Sequence, residues 1–161
     1  MKNARTIAHL ARLKPEFAAL LDAMLELGYR NEMNPQISCS IRTPQEQDAE
    51  HAKGRTILKT LEGKAQAIVT NARRFQSLHQ YGIAADLFFL VNGKADFEDS
   101  KFRTLWNLAC KAGLDRKGLE WSGLWSGSLR EGAHFQFGKP SWRELATDAS
   151  IDPITLNPIK S

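Results

Sequence analysis

The chain has 161 residues, of which 42% are hydrophobic and 25% charged, so a folded domain with a substantial core is expected and a disordered or repetitive protein is not. No apolar run approaches the roughly 20 residues of a membrane-spanning helix, and the N-terminus lacks the apolar region and cleavage site of a secretory signal. The net charge of +4 favours an anionic partner, but the absence of a basic and aromatic stripe argues against nucleic acid.

The N-terminal part of the chain predicts helices around one strand. A short helix is expected over 5–13, and a longer one begins at Pro15 and ends at Gly28, because apolar residues recur there at helical spacing. The alternating segment QISCSIR predicts a strand over 36–42. Thr43, followed by a proline, is typical of a helix N-cap and predicts a third helix that runs to about residue 53.

The remaining chain mixes strands and helices. Strands are predicted over 65–72, over 83–91 before the turn-forming Asn92-Gly93, and over 133–138, and helices over 97–114 and 141–149. This order has too few regular βαβ units for a doubly wound sheet, so it predicts an α+β fold with a small, mainly antiparallel sheet. We expect one domain over 1–161, with a core at about 36–138, N-terminal helices at 5–28, and a short helix and tail at 141–161.

The segment SLHQYGIAADL carries the first candidate functional residues, His79 and Asp86. In the predicted strand, Ala84, Asp86 and Phe88 share one face. An ionised aspartate in so apolar a strand is costly unless something compensates its charge. One alternative is an edge strand with the carboxylate in water or paired with an arginine, and the other is a metal site.

A second histidine, His134, completes a possible ligand set. In the segment REGAHFQF, alternation puts His134 and Gln136 on one face of a strand and Phe135 and Phe137 on the other. Two histidines and one carboxylate are a standard catalytic zinc set, which leaves a fourth position for water. Glu131 stands three residues before the histidine, where it is a candidate general base or, alternatively, a solvated loop residue.

These segments resemble peptidase family M15, which contains zinc D,D-peptidases and L-alanyl-D-glutamate peptidases. Residues 77–86 match its signature S-x-H-x-x-G-x-A-x-D, and EGAHF over 131–135 matches its second signature. SIRTPQEQ, GRT followed by AIVTNA, and LEWSGLW are similar to flanking segments of the phage endolysin branch. The resemblance implies a fold of the Hedgehog/D-Ala-D-Ala peptidase type, with helices packed on a small antiparallel sheet.

The resemblance also implies the roles of the central residues. His79, Asp86 and His134 would bind Zn²⁺, and Glu131 would act as the general base. The endolysin branch often has aspartate where Glu131 stands, whereas the carboxypeptidase and dipeptidase branches have glutamate.

Further residues are assigned to the substrate side of the site by the same resemblance. Arg42 would bind substrate or stabilise the developing oxyanion, and Ser77 would support the site by hydrogen bonding. Trp121 and Trp125 are candidates for the wall of the substrate groove, with a place in the core as the alternative. Ser122 replaces a glycine that is usual in the LEWSGLW segment, called here the tryptophan segment.

The function expected from this resemblance is zinc-dependent hydrolysis of a peptidoglycan stem peptide, at the L-alanyl-D-glutamate bond, by a phage endolysin. The alternatives are a D-alanyl-D-alanine carboxypeptidase or dipeptidase of the same family, and a non-catalytic module that binds the cell wall. We expect a monomer with no integral membrane association, which stays in the host cytoplasm until lysis and then acts on the wall.

Overall fold

The computed structural model of the protein describes residues 1–127 and 131–147, which divide into two compact units. The first unit comprises Met1–Ile41 and Gly82–Pro140, and the second comprises Arg42–Tyr81 and the chain from Ser141 to the end of the described residues. The single domain expected over 1–161 stays a prediction. Among the residues described, no helix combines the length and the hydropathy needed to cross a membrane.

The architecture is α+β, as predicted. The strands form one sheet in the order β1-β2-β5-β4, with β3 paired to β2, and every pairing is antiparallel. The strands are β1 (Pro35–Cys39), β2 (Ala84–Val91), β3 (Lys94–Asp96), β4 (Leu119–Trp121) and β5 (His134–Phe137). The helices are α1 (Ala4–Leu10), α2 (Pro15–Arg30), α3 (Pro44–Ala52), α4 (Asp99–Lys111) and α5 (Trp142–Thr147).

The first unit contains the whole sheet, and its core lies between one sheet face and the helices α2 and α4. Alternation along β2 turns Leu87 and Phe89 into this core, and Phe135 of β5 joins them. The ring of Phe102, on α4, lies 4.8 Å from that of Phe89 between centroids. The opposite face of the same strands carries the polar side chains of the candidate site.

The second unit contains α3, α5 and a short 3₁₀ helix at Leu78–Tyr81. The start of α3 is as predicted, because the hydroxyl of Thr43 accepts a hydrogen bond from the backbone N–H of Glu46 in a full capping box. After this helix, the guanidinium of Arg55 donates hydrogen bonds to the carbonyls of His51 and Thr70. These bonds tie the segment after α3 to the end of that helix.

The predicted strand over 65–72 is wrong. These residues form only an isolated bridge, between Lys59 and Ala65. Their β-prone side chains, Ile68 and Val69, are 56% and 49% exposed. Propensity therefore does not produce a strand here, because the segment gains no burial against a partner strand.

Several boundaries also differ from the predictions. The first strand ends at Cys39 rather than at residue 42, and β3 and β4, each of three residues, were not predicted. The Asn92-Gly93 turn is confirmed, because both residues have positive φ and join β2 to β3 as a hairpin. Residues 148–161, which include the predicted tail, lie outside the described residues.

Candidate metal centre and the loop beside it

Asp86 lies in the interior of the sheet. Its strand, β2, pairs with β1 on one side and with β5 on the other, so the alternative of a solvated edge strand is wrong. The residue is only 8% exposed. A carboxylate at such a position needs a compensating partner within the protein or a bound cation.

One partner of Asp86 is His134. Asp86 and His134 are directly opposite each other in the register of β2 and β5, and Oδ1 of the aspartate lies 3.0 Å from Nδ1 of the histidine. Two atoms bound to one tetrahedral zinc ion at its usual bond lengths are about 3.3 Å apart. The observed separation therefore fits two ligands of one ion with little adjustment, and the pair combines oxygen and nitrogen donors that zinc accepts.

Two further side chains extend this pair across the sheet. His134 Nε2 lies 3.2 Å from Oε1 of Gln136, and Nε2 of Gln136 donates to Oε2 of Glu120 at 3.1 Å. Alternation had already placed Gln136 on the face of His134, but Glu120 was not predicted as part of the site. Strand β4 is too short to show a period in the sequence, so no sequence signal placed Glu120 there.

The loop before β5 is fixed through three successive carbonyl groups. The Ser122 hydroxyl donates a hydrogen bond to the Glu131 carbonyl. The indole N–H of Trp121 donates to the Gly132 carbonyl at 2.7 Å. The backbone N–H of Leu87 donates to the Ala133 carbonyl at 2.9 Å. The N–H of His134 also donates to the Glu131 carbonyl, at 3.3 Å. The backbone that carries Glu131 is therefore held from β2 and from the tryptophan segment.

Glu131 itself is exposed at the start of the described part of this loop. Its backbone is anchored by these hydrogen bonds, although the residue as a whole is exposed. The hydroxyl of Ser122, which stands where a glycine is usual, is buried and supplies one of the anchors. This departure from the family pattern adds a hydrogen bond to the loop.

The two tryptophans have different surroundings. Trp121 is 1% exposed, and its ring stacks on that of Phe135 at an interplanar angle of 17° with 6.2 Å between centroids. Trp121 therefore lies in the core and does not form the wall of a groove. Its indole hydrogen bond to the Gly132 carbonyl helps to hold the loop that carries Glu131. Trp125 is half-buried, and its ring centroid lies 6.2 Å from that of His134.

The remaining predicted residues lie in the second unit. His79 is on the 3₁₀ helix Leu78–Tyr81 and is 2% exposed, and Ser77, just before this helix, is also buried. Arg42 is half-buried in the connection that leads into α3. Their assigned roles stay predictions that rest on the signature residues.

The comparisons with known proteins agree with the signatures. A peptidase M15 family model described as D-alanyl-D-alanine carboxypeptidase matches residues 70–137, which include both signature segments. The crystal structure of the Serratia marcescens L-Ala D-Glu endopeptidase ChiX aligns with a TM-score of 0.63 and 20% identity, over 89% of this chain and 92% of that chain. That similarity confirms the predicted fold.

A vancomycin-resistance D,D-pentapeptidase, VanY, in complex with Zn(II) also aligns, with a TM-score of 0.48 and 16% identity, over 79% of this chain and 73% of that chain. The family match covers the strand of Asp86, the loop of Glu131 and the strand of His134. Residues 70–137 therefore match a model of peptidase family M15, in agreement with the two signatures.

Proposed function

We propose that this protein is a zinc-dependent peptidoglycan peptidase that hydrolyses the L-alanyl-D-glutamate bond of the stem peptide and lyses the cell wall as a phage endolysin. The observation that carries the proposal is the Asp86–His134 pair, which lies on interior strands beside the anchored loop of Glu131. A carboxylate, an imidazole and a second, exposed carboxylate are the groups that metal-assisted hydrolysis requires.

Asp86 and His134 would hold the zinc ion, with His79 as the third ligand that the first signature supplies. A zinc ion held there would supply Lewis-acid chemistry, which polarises a carbonyl group and activates water at neutral pH. Three protein ligands are the number usual for a catalytic, rather than a structural, zinc site.

Glu131 would carry out the proton transfers as the general base and acid. Its carboxylate takes a proton from the attacking water and delivers it to the amine that leaves when the peptide bond breaks. A positioned base of this kind contributes about 10²- to 10⁴-fold to the rate. Arg42 would stabilise the negative charge that develops on the carbonyl oxygen, and Trp125 would contact the peptide near His134.

Four observations bear on the bond that is cut, two for each candidate. The flanking segments resemble the endolysin branch, and ChiX, which shares the fold, is named as an L-Ala D-Glu endopeptidase. The matching family model is instead described as D-alanyl-D-alanine carboxypeptidase, and this makes removal of the terminal D-alanine the second candidate function. The glutamate at position 131 also supports the second candidate, because the carboxypeptidase branch has glutamate where the endolysin branch often has aspartate.

Digestion of purified Gram-negative peptidoglycan separates the two candidates. Mass spectrometry and amine labelling of the products should reveal new D-glutamate amino termini, with no release of free D-alanine. Free D-alanine without new D-glutamate termini would favour the carboxypeptidase. Binding to the wall with neither product, by a zinc-loaded protein, would favour the non-catalytic module.

A further inference from the structure

We propose that Gln136, oriented by Glu120, is a positioning residue that fixes which nitrogen of His134 faces the metal. This inference rests on the proposed zinc site. It assigns to β4 and β5 a function that the two signatures do not include, because neither residue belongs to a signature.

The register of the sheet brings four side chains into one row. Gln136 and Glu120 are directly opposite each other on β5 and β4, and Gln136 follows His134 by two residues on the same face. Across β2, His134 faces Asp86. The resulting row runs from Glu120 through Gln136 and His134 to Asp86, on three neighbouring strands.

The order of donors and acceptors along this row is determined by its outer end. A carboxylate can only accept hydrogen bonds, so the amide nitrogen of Gln136 must face Glu120, at the observed 3.1 Å. The amide oxygen of Gln136 then faces His134 Nε2, at 3.2 Å, and can only accept. His134 must therefore carry a hydrogen on Nε2.

A hydrogen on Nε2 determines the state of the other ring nitrogen of His134, Nδ1. In a neutral imidazole with its hydrogen on Nε2, Nδ1 presents a lone pair, and this lone pair lies 3.0 Å from Oδ1 of Asp86. Two such acceptors repel each other unless a positive charge lies between them. A zinc ion held by Nδ1 and Oδ1 would supply this charge.

Gln136 and Glu120 are thus expected to act before zinc arrives. A histidine ligand usually donates its other N–H to a fixed acceptor, and loss of such an acceptor typically costs about 10- to 100-fold in metal affinity. Gly138 supports the arrangement, because a Cβ atom built at this residue would lie 2.4 Å from Oε1 of Glu120. The missing side chain leaves room for the carboxylate beside β5.

The test compares zinc dissociation constants, measured by competition with a chromophoric chelator, for the wild type and Gln136→Leu. We expect binding to weaken by about 10- to 100-fold. Gln45→Leu, at an exposed glutamine of α3, is the matched control and should leave the affinity unchanged. Thermal unfolding of the metal-free proteins verifies that each variant is folded.

A double-mutant cycle tests the role of Glu120. Glu120→Leu should weaken zinc binding in the wild-type background but cause no further loss in the Gln136→Leu background, because it acts through the glutamine. Equal losses in both backgrounds would overturn the orienting role.

Long-range ¹H–¹⁵N spectra of the zinc-loaded wild type should show His134 with metal on Nδ1 and hydrogen on Nε2. Metal on Nε2, or wild-type affinity in Gln136→Leu, would overturn the inference while leaving the zinc peptidase intact. A wild-type protein that binds no zinc would overturn both.

Discussion

Asp86 and His134 meet across two antiparallel strands at the centre of the sheet, with 3.0 Å between Oδ1 and Nδ1. Their relative position is determined by strand register rather than by a loop, and a shift of one residue would turn either side chain into the core. Ligands on rigid strands are held more precisely than ligands on loops. The sheet therefore preorganises two of the three proposed ligands.

Replacement of His134 tests the ligand set. We expect His134→Gln to lower zinc affinity by more than about 100-fold, beyond the loss typical of an outer hydrogen-bond partner, because a direct donor is removed. His51→Gln, at the end of α3, is the control and should bind zinc as the wild type does. Metal titration with a chelating dye measures the zinc affinity of both variants. An unchanged zinc affinity in His134→Gln would exclude His134 as a ligand.

Glu131→Gln separates catalysis from metal binding. The amide cannot accept the proton of the attacking water, so kcat/KM should fall by about 10²- to 10⁴-fold while zinc content stays at the wild-type level. Glu62→Gln, at another exposed glutamate, should retain full activity. Rates of stem-peptide cleavage give the comparison. Full activity of Glu131→Gln would mean that Glu131 is an ordinary solvated loop residue.

Trp121→Phe tests the anchor on the loop. This change leaves the Gly132 carbonyl without its indole donor, so the free energy of unfolding should fall by about 1–3 kcal/mol more than in Trp106→Phe. Trp106 is a suitable control because it is also buried and its indole makes no hydrogen bond within the described chain. Urea denaturation measures both variants. Equal losses would show that packing, rather than the hydrogen bond, accounts for the effect.

His9 should make stability depend on pH. Its Nδ1 lies 2.8 Å from the Ser40 hydroxyl, and its Nε2 accepts from Arg5, so the folded protein favours the neutral ring. Burial, with Arg5 and Arg12 nearby, lowers the pKa of His9. As pH falls below about 6.5, the unfolded chain takes up a proton that the folded one does not, and stability decreases.

Urea midpoints at pH 7.5 and 5.5 would measure this contribution. The decrease between the two values should be smaller in His9→Gln, because that variant has no imidazole to titrate at this position. The same decrease in both proteins would assign the pH dependence to other groups.

The sequence predicted those features of the site that depend on local pattern. Alternation placed His134 and Gln136 on one face of β5, and the structure confirms that placement. The grouping of His79 with Asp86, which the first signature implies, stays a prediction. The apolar spacing of α2 and α4 also predicted the helices that cover the other face of the sheet.

The features that depend on tertiary pairing were not predictable in the same way. Nothing in the periodicity of β2 shows that Asp86 pairs with His134, or that β4 brings Glu120 to Gln136, because register is decided by strands far apart in the chain. The composition of the LEWSGLW segment was equally compatible with a groove wall or a core. Only the packing of Trp121 against Phe135 distinguishes these alternatives.

The most direct test of the central claim is cleavage of purified Gram-negative peptidoglycan by protein of known metal content, before chelation, after EDTA treatment and after zinc is restored. The account predicts one zinc per chain, loss of stem-peptide cleavage with EDTA, and recovery with zinc. Cleavage that persists in fully metal-free protein, or a pure folded protein that binds no zinc, would contradict it.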